Sequence, residues 1–456
     1  MRKYVELMKE IERQLEVGTI RGGQRLPSIR DMSLRFACSK STVIRAYAEL
    51  ERRHLVYTVP QSGYYAVVQK PGAEQAREQA MLDFSAPSPD PELFPYVDFQ
   101  HCLNRAIDMY RSDLFTYGMS QGLPTLLHVI SKRLADRQVF VRPERITITS
   151  GIQQALSLLC TMPFPNGKRA VLLEQPSYHL MIRLLVTHRV PLRGIARTEQ
   201  GIDLDKLEHL FRTGDIKMFY TMPRFHNPLG TSYPESTKKA IAELAERYDV
   251  YVAEDDYLAD LETDPRSDPI YAYASSRVIY LNSFSKMLFP GLRIGAAVLP
   301  PELQDTFGLY KQLADLDSSM LSQAALEIYI QNGMFERRKQ QISASYSERL
   351  LRLNRALDTF NDTDFAHHVS VSSGSHTHIA FSVPLHIPTL VNRLQKKNIV
   401  LKPLDPFFAE GFEKRPLLKI SIARAEEERI EEGVKLLMDE IKKMAGRQFI
   451  KGAEQL

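Results

Sequence analysis

The sequence predicts an α/β protein in two parts. A small N-terminal unit of helices and one hairpin precedes a large domain with a mostly parallel sheet covered by helices and a smaller C-terminal α+β subdomain. Three observations predict this. From about residue 98, helix-like and strand-like patterns alternate, as they do in βα units. The first seventy residues instead hold short helical segments followed by two short strands. Charge follows the same division: the net charge is +4, and the basic surplus lies in the first seventy residues, with the remainder close to balance. The expected boundaries are 1–68 for the first unit, 69–82 for a polar linker and 83–456 for the large domain, whose subdomain begins at about 330.

Composition narrows the classes. The chain has 456 residues, 44% hydrophobic and 25% charged, ordinary values for a globular protein. No apolar run approaches the roughly 18 residues of a membrane span. The start, "MRKYVELMKEIERQ", is charged and amphipathic and lacks the apolar core of a signal peptide. Cys38, Cys102 and Cys160 are three, widely spaced; they suggest neither a disulfide framework nor a zinc site, and a reducing cytoplasm is expected.

In the first unit, "YVELMKEIERQLEVGTI" carries apolar residues at helical spacing. Ser28 opens a second helix with Asp31 three residues on, a capping pattern. A turn at "CSK" leads to "STVIRAYAELERRH", with Val43, Tyr47 and Leu50 on one face and Lys40, Ser41 and Arg45 largely off it. "LVYTVPQSGYYAVV" reads as a hairpin around Ser62-Gly63. Together these make a winged helix-turn-helix, whose recognition helix must bring short polar and basic side chains into a major groove. The stretch from Gly22 to Ala66 resembles the GntR regulators. That resemblance implies operator DNA as a partner and Arg30, Lys40, Ser41, Thr42, Arg45 and Gly63 as contacts.

In the large domain, "ERITITS", "RAVLLEQ", "IKMFYTMP", "DVYVAEDDY" and "RVIYLNSFSK" read as strands, with "VDFQHCLNRAIDMY", "LPTLLHVISKRLADR", "GIQQALSLLC" and "STKKAIAELAERY" as helices. The prolines of "DFSAPSPDPELFP" rule out a long helix there. Ligands of such sheets bind beyond the carboxyl ends of the strands, and the unusual residues fall there. Ser150-Gly151-Ile152-Gln153 joins a strand to a helix, a natural anion cradle. Asn227 precedes a proline that restrains it. Asp255 and Tyr257 follow one strand, Lys286 and Arg293 another.

The order of these residues, with "YTMPRFHNPLGT", "VYVAEDDY", "SFSKMLFPGLRIG" and "LKISIAR", resembles the fold-type I pyridoxal-phosphate aminotransferases. The resemblance implies pyridoxal 5'-phosphate as cofactor. Lys286 would form an imine with its aldehyde, and Asp255 would keep its ring nitrogen protonated. Arg293 and the residues 150–153 would serve the phosphate, Asn227 and Tyr257 the ring oxygen, Tyr178 would stack on the ring, and Ser283 and Ser285 would also contact the cofactor. Arg424 would grip a substrate carboxylate, and Tyr117 would reach a neighbouring subunit's phosphate, which implies a homodimer. Arg224, near the site, reads as a surface residue or a second carboxylate contact, with the surface favoured.

Both motif sets in this order resemble the MocR branch of regulators. The expected function is a pyridoxal-phosphate-dependent DNA-binding transcriptional regulator that senses an amino acid or amine by imine exchange at Lys286, with no metal and no membrane. Two alternatives stand beside it: a working aminotransferase with an accessory DNA-binding segment, and a regulator that senses the cofactor itself.

Overall fold

In a computed structural model the chain divides into two units, Met1–Ala80 and Met81–Leu456. The structure describes residues 3–53, 55–59, 62–67, 81–89 and 94–453. Of the expected linker, only Met81 and Leu82 fall among them, and Leu82 already belongs to a strand.

The N-terminal unit has helices Lys3–Glu16, Ile29–Arg35 and Lys40–Arg52, then strands β1 (Val56–Val59) and β2 (Gly63–Ala66), paired antiparallel. Leu7, Ile11, Met32, Val43, Tyr47 and Leu50 form its own core. The expected cap is present: the Asp31 amide donates to the Ser28 hydroxyl at 3.2 Å. Ser39 caps the third helix in the same way through the Thr42 amide. Each cap satisfies a helix-end donor that would otherwise have no partner.

The large unit opens with a short strand, β3 (Leu82–Asp83). Its main sheet then takes β4 (Ile146–Thr149), β5 (Ala170–Gln175), β6 (Leu192–Thr198), β7 (Gly201–Ile202), β8 (Ile216–Thr221), β9 (Tyr251–Asp255), β10 (Val278–Ser283) and β11 (Gly295–Val298) in the order β4-β11-β10-β9-β8-β5-β6-β7. The pairs β10–β9, β9–β8, β8–β5 and β5–β6 are parallel. Leu172, Phe219, Val252 and Tyr280 pack on one face, and Leu173, Tyr220, Ala253 and Leu281 on the other. Burial on both faces explains the nearly continuous apolar runs. β11 runs antiparallel to β10 and β4, so the residues just before it lie at the same sheet edge as the ends of the parallel strands.

The helix Ile152–Thr161 follows β4 directly. At its far end the buried Lys217 ammonium donates to the carbonyls of Leu159, Cys160 and Met162 at 3.1, 2.8 and 3.1 Å. That cation satisfies carbonyls that a helix C-terminus leaves open.

Toward the C-terminus, β12 (Ala366–His368), β13 (His376–Phe381) and β15 (Leu417–Ser421) form an antiparallel sheet, with helices Met334–Phe360, Ile387–Gln395 and Ile430–Ala453. β14 (Ile399–Val400) pairs with β3 in parallel. The α+β subdomain expected from about 330 thus also contains residues from the start of the unit. Gly433 is needed at that junction: a Cβ there would lie 2.2 Å from the Leu82 side chain.

Candidate functional site

At the carboxyl edge of the main sheet, Gly151, Ile152, Gln153, Tyr178, Asn227, Asp255, Tyr257, Ser283, Ser285, Lys286 and Arg293 line one open cleft of about 740 Å³. Leu156, Met222 and Pro290 add apolar wall. Ser150, Tyr117 and Arg424 are not among its lining residues.

Asp255 is the last residue of β9 and only 4% exposed. The Tyr220 hydroxyl donates to its Oδ2 at 2.7 Å, while its buried Oδ1 has no partner. Burial pushes its carboxyl up to about 7, against the Tyr220 hydrogen bond and the Lys286 ammonium, which pull the other way. A carboxylate in this position lacks a cationic donor on one oxygen. Lys286 follows β10, and its Nζ donates to the Pro87 carbonyl at 3.0 Å. Burial holds its ammonium below the usual lysine range, with Asp255 opposing. A lowered lysine has more of the neutral amine that acts as a nucleophile.

The anion end is built around Gly151 and Arg293. Gly151 has φ +77°, and a Cβ there would meet Arg293 Nη2 at 2.8 Å. Arg293 takes a left-handed conformation and donates to the Ser150 carbonyl at 3.0 Å. The Ser150 amide is occupied by Gln154 Oε1, its hydroxyl by Asp315, and the Gly151 amide by the Thr149 carbonyl. Of the expected cradle 150–153, Ile152 and Gln153 open the helix and line the cleft, while the Ser150 and Gly151 amides are engaged within the loop. Ser285 Oγ, also in the cleft, is buried without a partner.

Tyr257 donates its hydroxyl to the Phe225 carbonyl at 2.9 Å, in the loop that carries Asn227. Asn227, joined to Pro228 by a cis peptide, accepts from Lys419 Nζ at 2.8 Å. Lys419 has no distinguishing signal in the sequence. It sits in β15, where "LLKIS" reads as a strand interior, and burial together with Lys286 brings its ammonium down to about 7. Arg424, the expected carboxylate grip, lies past β15 with its buried Nε unpartnered. Arg224 corrects the surface reading. It is 3% exposed and ion-paired to Asp256, with a further bond to the Ser267 carbonyl at 2.9 Å. It is not among the residues that line the cleft. Tyr117 is 85% exposed.

In the N-terminal unit, Arg30, Lys40, Ser41 and Arg45 are exposed and Thr42 half-buried. Ser41 and Thr42 bond through their hydroxyls to Ser39 at 2.8 Å each, and the Arg45 guanidinium lies 4.5 Å from the Tyr4 ring centre. Gly63 begins β2 at φ +114° beside the Arg25 side chain. Among the described residues no group of three or more His, Cys, Asp or Glu side chains could hold a metal, and no helix is long and apolar enough to cross a membrane.

A winged helix joined to a parallel sheet with lysine, aspartate and arginine at its carboxyl edge defines a regulator with an aminotransferase-type domain. Comparison agrees on both parts. Residues 95–437 match aminotransferase class I and II, and residues 3–65 match the bacterial regulatory proteins of the gntR family. The chain is 52% identical over 446 residues to the HTH-type transcriptional regulator YcxD of Bacillus subtilis, covering 97% of this chain and 100% of that one. It is 27% identical over 375 residues, 75% of each chain, to the "Probable rhizopine catabolism regulatory protein MocR" of Rhizobium meliloti. Among solved structures, the kynurenine aminotransferase of Pyrococcus horikoshii in complex with PMP superposes with a TM-score of 0.73 at 26% identity, covering 82% of this chain and 95% of that one. The chain belongs to the HTH-type transcriptional regulators of MocR type, with a gntR helix-turn-helix and an aminotransferase class I and II domain.

The cofactor of that domain class is pyridoxal 5'-phosphate, and the cleft's donor set fits it. The unpartnered Asp255 Oδ1 suits a protonated ring nitrogen. Lys286 offers an amine, and Arg293 against Gly151 offers charge to a phosphate.

Proposed function

We propose that this protein is a DNA-binding regulator that holds pyridoxal 5'-phosphate in the large-unit cleft and senses an amino acid or amine there. The observation that carries the reading is the unfilled Asp255 oxygen in the same cleft as a half-buried lysine whose ammonium is held below its usual range. When bound, the cofactor supplies an aldehyde that condenses reversibly with primary amines. Lys286 supplies the amine with which an effector competes. Asp255, oriented by Tyr220, holds a proton at the ring nitrogen. Arg293, Ser283, Ser285 and the first turn of Ile152–Thr161 bind phosphate, with Ser150 and Gly151 shaping that loop. Tyr178 offers a stacking face. Asn227 presents its amide to the ring oxygen, its own oxygen being held by Lys419, and Tyr257 steadies the same loop. Arg424 remains the proposed grip for an effector carboxylate.

Arg30, Lys40, Ser41, Thr42, Arg45 and Gly63 are the proposed DNA contacts. The exposure of Arg30, Lys40, Ser41 and Arg45, with Thr42 and Gly63 half-buried beside them, supports this reading. The test is absorbance spectroscopy of the cofactor-loaded protein against a panel of amino acids and amines, repeated with operator DNA. A spectral change matched by a change in DNA affinity is expected, and both should be lost in Lys286→Ala. Steady conversion of amino donor and keto acid would instead favour the aminotransferase reading, and a DNA affinity that follows cofactor alone would favour cofactor sensing.

The protein acts as a homodimer through its large unit. The exposed Tyr117 supports this, as do the exposed apolar side chains Ile107, Met109, Leu309 and Leu313. Sedimentation of the cofactor-loaded protein at micromolar concentration should give twice the chain mass, and a monomer there would refute it.

A further inference from the structure

The segment that opens the large unit runs through the site. Leu82 and Phe84 donate their amides to the carbonyls of Asn398 and Val400 at 2.8 and 3.0 Å. On the other side, Ser421 donates its amide to the Phe84 carbonyl at 2.8 Å and its hydroxyl to the Ala86 carbonyl at 2.6 Å. The next carbonyl, that of Pro87, accepts from Lys286 Nζ at 3.0 Å. Phe84, Ala86 and Ser88 are all buried. In "SAPSP" both Ala86 and Ser88 precede a proline, which restricts them to extended backbone. The segment is therefore stiff, and the exposed Pro87 brings its far end onto Lys286. Immediately before it in the sequence come residues 68–81, which lead back to the winged helix.

We propose that the Pro87 carbonyl is a further positioning group of the site: it receives the Lys286 amine whenever that amine is free, and thereby carries the lysine's state into β3. The inference rests on the proposed function. A primary amine that condenses with an aldehyde loses two hydrogens as water and becomes part of a carbon–nitrogen double bond. The amine of an incoming effector can replace it, and Lys286 then regains both hydrogens. Engaged, Lys286 is turned to the cofactor and has at most one N–H. Released, it can donate to Pro87 O as it does here. Effector arrival therefore adds one hydrogen bond to the extended segment and removes none of those that hold it to β14 and Ser421. Strand β15 reads the site a second way, because Lys419, two residues before Ser421, holds Asn227.

Two cofactor forms separate these states without knowledge of the effector. Pyridoxal 5'-phosphate engages Lys286, whereas pyridoxamine 5'-phosphate fills the same cleft and leaves the lysine free. Hydrogen exchange of the full chain, followed by mass spectrometry over residues 82–88, should be about fivefold slower in the pyridoxamine form, the effect of one ordinary hydrogen bond. In Lys286→Ala the two forms should exchange alike. Ser421→Ala should bind both forms normally by absorbance, yet show a smaller difference at Leu82 and Phe84. Equal exchange in the unaltered protein, with both forms shown to be bound, would overturn the inference and leave the proposed function standing. Failure to bind either form would overturn both, and a difference that persists in Lys286→Ala would overturn the role of Pro87.

Discussion

Glu174 and Asp255 are buried carboxylates on central strands of one sheet, and their surroundings differ sharply. Glu174, in β5, receives Arg197 at 2.7 Å, the Thr221 hydroxyl at 2.8 Å, the Tyr233 hydroxyl and the Met222 amide. Burial alone would raise its carboxyl, but Arg197 and the neighbouring His226 and Tyr233 outweigh that and hold it at about 2. Asp255, in β9, has one tyrosine and an oxygen with nothing to bind, and it rises to about 7. A buried charge is tolerated only when compensated. Compensation from within marks Glu174 as scaffold, and missing compensation marks Asp255 as a place for a ligand.

The largest effect should come from breaking the closed set. Arg197→Met leaves Glu174 charged and unpaired, and should cost the large unit about 3–5 kcal/mol. Urea denaturation should show the loss with or without cofactor. Asp255→Asn should do the reverse. The cofactor-free protein should be no less stable, while affinity for pyridoxamine 5'-phosphate, followed by absorbance, should fall about 10–100-fold, the worth of a charged hydrogen bond. An equal fall in cofactor-free stability would erase the distinction between the two carboxylates.

The smallest effect is in pH. Asp255 is raised from an ordinary 3.8 to about 7. The folded protein therefore holds a proton in that interval that the unfolded chain has already lost. The associated stability is fully present below about pH 4 and is lost as pH rises to about 7. Glu254, also raised to about 7 by burial, adds to the same window. A cationic ring nitrogen would compensate Asp255 but not Glu254. The gain in melting temperature from pyridoxamine 5'-phosphate should therefore be larger at pH 8 than at pH 6. In Asp255→Asn that difference between the two pH values should close.

What could be read in the sequence follows from which side chains break a pattern. Lys286, Asp255 and Asn227 stand at the ends of apolar runs, where a polar residue is conspicuous, and they share the cleft. Tyr220 looks like one more strand residue in "IKMFYT", and Lys419 like an outward position in "LLKIS"; only folding shows that each bonds to a residue of the site. Arg224 looked like surface because its partner, Asp256, lies 32 residues away in sequence. β6, "LRGIART", is masked in the sequence because its polar residues hide a strand whose Arg197 is fully buried. The strand β3 is two residues long and has no periodicity to detect.

The pairing of β3 with β14, and of Phe84 with Ser421, also sets an order of events during synthesis. The N-terminal unit has its own core by Ala66, so a growing chain can complete its DNA-reading head early. The strand that follows waits for partners made more than three hundred residues later, roughly 20–70 s at ordinary rates of translation. Until then Leu82 and Phe84 have no ladder to join, and the nascent protein has a finished head attached to an unfinished aminotransferase-type domain. The helix-turn-helix unit is thus complete before the aminotransferase-type domain in the life of every molecule.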